Sequence, residues 1–121
     1  MSIGYGKCMA KIVRVLPEAE DFLYTLPSVL GREGYKSTFE GALRYVDAIL
    51  DFISRLPHVP HYAIPEEFEY HFKRYGSDLR YAFFKQKASS TTTWYIFFEE
   101  TEDYLLVTHI SNNWLEGHYL R

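Results

Sequence analysis

A chain of 121 residues, 47% hydrophobic and 18% aromatic, is sized for one domain spanning 1–121 and leaves too little core for two. The formal charge of −3 argues against a chain built for general nucleic-acid binding, which draws its affinity from Lys and Arg displacing counterions. A lone Cys8 excludes an intrachain disulfide and a four-Cys zinc site, and the apolar runs are too short for a membrane span or secretory signal, so a soluble protein of the reducing cytoplasm is expected.

From Met9 to Leu16 apolar residues fall on both sides of an alternating pattern, which predicts a first strand. Pro17 suits the first turn of a helix, with Glu18, Glu20 and Asp21 on its positive end and Ala19, Phe22, Leu23 and Leu26 at helical spacing. Pro27 is expected to end that helix at Leu26, and Gly31 and Gly34 mark a short connection. Ser37 and Glu40 make a capping box for a second helix, whose Phe39, Leu43, Val46, Leu50 and Ile53 repeat up to Leu56. Three prolines confine Pro57 to Ile64 to an extended crossing. Pro65-Glu66-Glu67 then opens a short third helix that closes on Lys73-Arg74 and Gly76, pinned by Phe68, Phe72 and Tyr75.

Three strands follow: Leu79 to Lys87, Thr91 to Glu100 and Tyr104 to Ser111. Ala88-Ser89-Ser90 and the acidic turn from Glu99 to Asp103 join them as hairpins. The class is therefore α+β: an N-terminal strand, a helical hairpin, a short third helix, then a three-stranded antiparallel meander with the helices packed on the sheet. No internal repeat or low-complexity tract interrupts it. Acids crowd into Glu18–Asp21, Glu66–Glu69 and Glu99–Asp103. Lys73, Arg74, Arg80, Lys85 and Lys87 form a basic interval, which leaves a local basic face open despite the average charge.

Lys85 and Lys87, two apart on one strand, project from the same face and suit gripping successive phosphates; the plainer alternative is a solvated strand end. His58 and His61 lie three apart with His71 downstream, but neither Cys nor ordered carboxylates accompany them, so no metal is expected. His109 reads as a hydrogen-bonded sheet residue, Arg80 as a surface partner of nearby acids, and Trp94 as core. Trp114, after the turn-like Asn112-Asn113, is the better candidate for an exposed, base-stacking contact.

Pro17-Glu18-Ala19-Glu20-Asp21-Phe22-Leu23 after the first strand, the Leu43–Leu56 helix, Thr93-Trp94-Tyr95-Ile96-Phe97-Phe98, and Tyr104-Leu105-Leu106-Val107 with Ile110-Ser111 together resemble the RelE/ParE superfamily of toxins from bacterial type II toxin–antitoxin pairs, over about Lys11 to His118. The resemblance implies a cytoplasmic protein held by a cognate antitoxin. RelE-like members are ribosome-dependent mRNA endoribonucleases that use no metal or organic cofactor, so ribosome and mRNA become expected partners. Carried over, Lys85 and Lys87 fill the phosphate-binding role on the second strand. His118-Tyr119 resembles the terminal pair of YoeB-like members, in which the imidazole is the general acid and Tyr assists. The implied catalytic set is thus Lys85, Lys87, His118 and Tyr119, with Glu66, Glu67 or Glu69 as positional candidates for a base. The chain departs from the pattern where Thr93, Trp94 and Tyr95 replace a third-strand Arg, and where no Arg follows the last strand until Arg121. Those departures keep open a non-catalytic alternative: a ParE-like gyrase inhibitor or an inactive protein-binding module.

Overall fold

The computed structural model describes residues 11–32, 39–86 and 91–116, and the side chains of these except at 29–32 and 39. Ile12–Val15 (β1) leads directly into Pro17–Arg32 (α1), whose first turn carries Glu18 and Glu20. This helix does not stop at Leu26 but runs through Pro27. Pro27 costs the helix the bond to the Leu23 carbonyl, yet Ala19, Leu23, Leu26 and Pro27 itself are all buried, and packing outweighs the local preference.

Phe39–Ser54 (α2) lies where the periodicity placed it, with its inner face turned by about one residue. Ala42, Val46, Ile49 and Ile53 are buried, whereas Leu43 and Leu50 are 41% and 44% exposed. Ala42 contributes little to a hydropathy pattern but is fully buried, so hydropathy alone sets the docked face one step off. Ser37, of the expected capping box, is outside the described residues.

The crossing from Pro57 to Ile64 starts with a 3-10 turn at Leu56–His58 and contributes Tyr62–Ala63 (β2), which makes five strands instead of four. Pro60 and Pro65 lack N–H donors and bracket this piece, which explains why it pairs with its neighbour through only two residues. The expected short helix is divided into a 3-10 turn at Glu66–Phe68, one α-turn at Glu69–Phe72 (α3) and a second 3-10 turn at Lys73–Tyr75. It ends at Gly76, whose φ of 150° is a conformation glycine adopts readily. Phe72 is buried, and Phe68 and Tyr75 are partly buried beside it, so the expected aromatic pins are in place.

Arg80–Phe84 (β3), Trp94–Glu100 (β4) and Tyr104–Asn112 (β5) form the antiparallel meander, and β1 joins β5 in parallel, giving the order β1-β5-β4-β3-β2. Asn113–Glu116 (α4) replaces the turn expected at Asn112-Asn113. Asn112 Oδ1 accepts the N–H groups of Trp114 and Leu115 at 3.0 and 3.3 Å and so caps this last turn. Among the described residues the arrangement is α+β, a five-stranded mixed sheet with four helices. No helix among the described residues is long and apolar enough to cross a membrane.

Alternation sends Trp94, Ile96 and Phe98 to the face covered by α1 and α2, where they meet Leu105, Val107 and Ile110. It sends Tyr95 and Phe97 to the second face, under Ile64, Phe72 and Leu79. One irregularity decides what else reaches that face. Phe97 pairs with His109 but Phe98 with Val107, so Thr108 is the extra residue of a β-bulge. Without the bulge His109 would follow Leu105 and Val107 toward the helices. With it, Ile110 takes that place while His109 meets Tyr75 and Phe97 on the second face.

Candidate active site

The bulge in β5 presents His109, α3 presents His71, and α4 folds back to present Glu116, only 5% exposed. The two carboxylate oxygens of Glu116 are divided between the imidazoles: Oε1 lies 3.4 Å from His71 Nε2, and Oε2 lies 3.7 Å from His109 Nε2. The first is a long hydrogen bond. The second is beyond hydrogen-bonding range, and His109 Nε2 is a buried atom with no hydrogen-bond partner, so its attraction to Glu116 is electrostatic. Tyr75 lies flat on the His109 ring, centroids 3.7 Å apart and planes 6° from parallel, with Phe97 on another side at 5.5 Å. The Arg74 guanidinium stands 4.9 Å from the Tyr75 ring centre. His109 is thus clamped in orientation while His71, on a short helical turn, borders solvent.

Burial pulls the His109 imidazole below the ordinary histidine range and Arg74 adds to this, against the opposing pull of Glu116. The folded chain therefore holds this proton less readily than the unfolded chain. Stability from this group is complete where the imidazole is neutral in both states and is lost as pH falls below the ordinary value of 6.5. Urea titrations from about pH 7.5 down to about pH 5 should show a falling midpoint, and His109→Gln should flatten part of that fall. An identical pH dependence in the variant would contradict the assignment. Tyr95, on the same face, has its hydroxyl raised by burial, by Tyr81 and by Glu116, and stays protonated.

Two further buried oxygens on the same strand, Thr108 Oγ1 and Ser111 Oγ, have no hydrogen-bond partner. Buried polar atoms are ordinarily paired, and with His109 Nε2 these make three within residues 108–111. Two imidazoles sharing one buried carboxylate can chemically take a proton at one ring and give one at the other, with the carboxylate stabilising whichever ring becomes charged.

The residues singled out from sequence are distributed differently. Lys85 follows β3 and is exposed. Continued alternation puts it on the second face, but about four residues along the sheet from the level of the Phe97–His109 pair, roughly 13 Å at the usual rise of a strand. Lys87, His118 and Tyr119 are outside the described residues. Glu66, Glu67 and Glu69 are exposed and do not join the cluster. Glu69 instead borders a cavity of about 460 Å³ shared with Lys73, Asp78 and Arg80. His58 is exposed, and His61 Nε2 meets the Leu56 carbonyl at 2.8 Å with its ring 4.7 Å from Phe98, so the histidines weighed for zinc do not converge. Arg80 donates to the His61 carbonyl at 3.4 Å, and its charge is among those that lower the Glu100 carboxyl, so it has a backbone partner besides the expected nearby acid. His109 proves to be a clustered side chain without the hydrogen bond expected of it. Trp94 is core at 3% exposure and Trp114 is 61% exposed, both as expected.

Sequence reasoning missed Glu116 and the meeting of His71 with His109. One signal was present: the buried residues Leu105, Val107 and Ile110 step by two and then by three, the mark of a bulge that changes which face His109 occupies. No protein-family model, curated protein or solved structure matches the chain.

Proposed function

We propose that the chain is a RelE/ParE-like, toxin-type protein of the bacterial cytoplasm, a metal-independent endoribonuclease acting on ribosome-bound mRNA and held by a cognate antitoxin. The observation that carries the nuclease reading is the pair of imidazoles at 3.4 and 3.7 Å from the buried carboxylate of Glu116. The element order supports the resemblance, since one strand, two helices and a meander follow in sequence and β1 lies beside the last strand of that meander.

In this reading His109, kept neutral by burial, takes the proton of the 2′-hydroxyl as that oxygen attacks phosphorus. His71 gives its proton to the departing 5′-oxygen as the phosphorus–oxygen bond breaks, leaving a cyclic 2′,3′-phosphate and a free 5′-hydroxyl. Glu116 holds His71 in orientation and stabilises each imidazolium as it forms. Lys85, with Lys87, supplies positive charge to the approaching backbone.

A second reading, a non-catalytic gyrase inhibitor or protein-binding module, is favoured by the same carboxylate: Glu116 stands against the Nε2 atoms a phosphate would have to reach. Purified chain added to ribosomes translating a defined mRNA separates the two. Cleaved transcripts ending in cyclic phosphate are the expected result; intact mRNA together with inhibited gyrase selects the second reading.

A further inference from the structure

On the second face the sheet carries an aromatic strip that leads from its β2 edge to the imidazoles. Tyr62, Tyr81, Phe97 and His109 are successive cross-strand partners on β2, β3, β4 and β5. The inner members are covered by Phe72 and Tyr75, but the outer end is open: Tyr62 is 41% exposed and Phe83 is 39% exposed. These two rings stack on each other with centroids 5.4 Å apart and planes 25° from parallel, so they stand as one aromatic pair at the open end. Lys85 stands two residues beyond Phe83 on the same face, and Arg74 lies beside Tyr75 at the imidazole end. One cation thus stands beyond the open aromatic pair and a second near the imidazoles.

We infer that Tyr62 and Phe83 form a stacking platform for a base of single-stranded RNA whose backbone passes Lys85. The inference rests on the nuclease reading for the identity of the strand. Three strand spacings put Tyr62 about 14 Å from His109, so the platform grips the strand away from the bond being cut. Every base offers a π-face, so this contact favours single strands with little sequence preference. Lys85 contributes a phosphate contact that weakens with salt.

The test is fluorescence anisotropy with the full-length chain and a labelled single-stranded RNA of about eight nucleotides, 2′-O-methylated throughout so that it cannot be cut. Phe83→Ala and Tyr62→Ala should each weaken binding about tenfold, Phe83→Trp should restore it, and Lys85→Gln should lower the slope of affinity against salt by about one. Tyr24→Ala, 74% exposed on α1, should bind as the wild type does. Because the two alanine variants are at an edge, a folding failure in one leaves the other to decide. Unchanged affinity in a folded alanine variant overturns the platform. So does a wild-type chain that ignores RNA, including one that copurifies with a protein partner lost in Phe83→Ala, which would make this a protein-docking face. Binding that depends on both rings, with mRNA left intact on ribosomes, upholds the platform and removes the nuclease reading alone.

Discussion

Replacing His109 with Gln is expected to lower the single-turnover rate of RNA cleavage by about 10²–10⁴-fold, the range a positioned acid or base supplies. The fold should survive, because Gln fills similar space beneath Tyr75 and carries no charge into a site where burial already opposes one. His71→Gln should cost a similar factor, and the double variant should fall little further, because in the proposed mechanism the two rings serve one step. Glu116→Gln keeps the volume and a polar partner for His71 but loses the charge that stabilises an imidazolium, so a smaller loss of about tenfold is expected. Rates followed against pH distinguish this from a structural effect: the ascending limb set by the neutral base should vanish in His109→Gln alone. Wild-type cleavage in both His variants, with loss in His118→Ala, would move the chemistry to the C-terminal pair.

Trp94→Ala should be the most damaging single change to stability, removing about 3–5 kcal/mol. That is comparable with the whole stability of many small domains, about 5–15 kcal/mol. The indole is 3% exposed, meets Phe22 and Tyr45 edge-on at 6.2 and 6.1 Å, and donates its N–H to the Tyr45 hydroxyl at 2.9 Å. Its loss opens a cavity between the sheet and both long helices and also removes that hydrogen bond. Trp94→Phe retains most of the apolar surface and should cost about 1–2 kcal/mol, chiefly the hydrogen bond and some packing. Urea denaturation gives both values. A loss under about 1 kcal/mol in Trp94→Ala would mean that the indole is not held in the core.

The three strands of the meander were legible because β4 and β5 are dense in β-branched and aromatic residues and the acidic stretch between them offers only a turn. Helix boundaries were less legible where tertiary burial outweighs a local rule. Pro27 is a breaker by its own chemistry and a tolerated core residue in its surroundings. The inner face of α2 was misplaced by one step because hydropathy gives Leu43 and Leu50 more weight than Ala42, yet Ala42 is the buried one. β2 was unreadable because two residues between prolines carry no period; only the proximity of β3 makes them a strand.

The acid–base cluster was the least legible feature. His71 and His109 are 38 residues apart in the chain, and Glu116 belongs to a turn of helix formed by an Asn cap that read equally well as a loop. Their meeting depends on one unpaired residue, Thr108, whose insertion in the ladder reverses the direction of everything after it. Lys85 was readable as an exposed cation at a strand end. Its distance from the imidazoles follows from strand register, which an isolated sequence does not state.

The measurement to make is a map of mRNA 5′ ends in a bacterium induced to produce the wild-type chain or His109→Gln at matched soluble levels. The acid–base site predicts new ends within translated codons for the wild type, with growth arrest, and neither for the variant. Equal cleavage by the two proteins would contradict it, as would arrest by the wild type without any new ends.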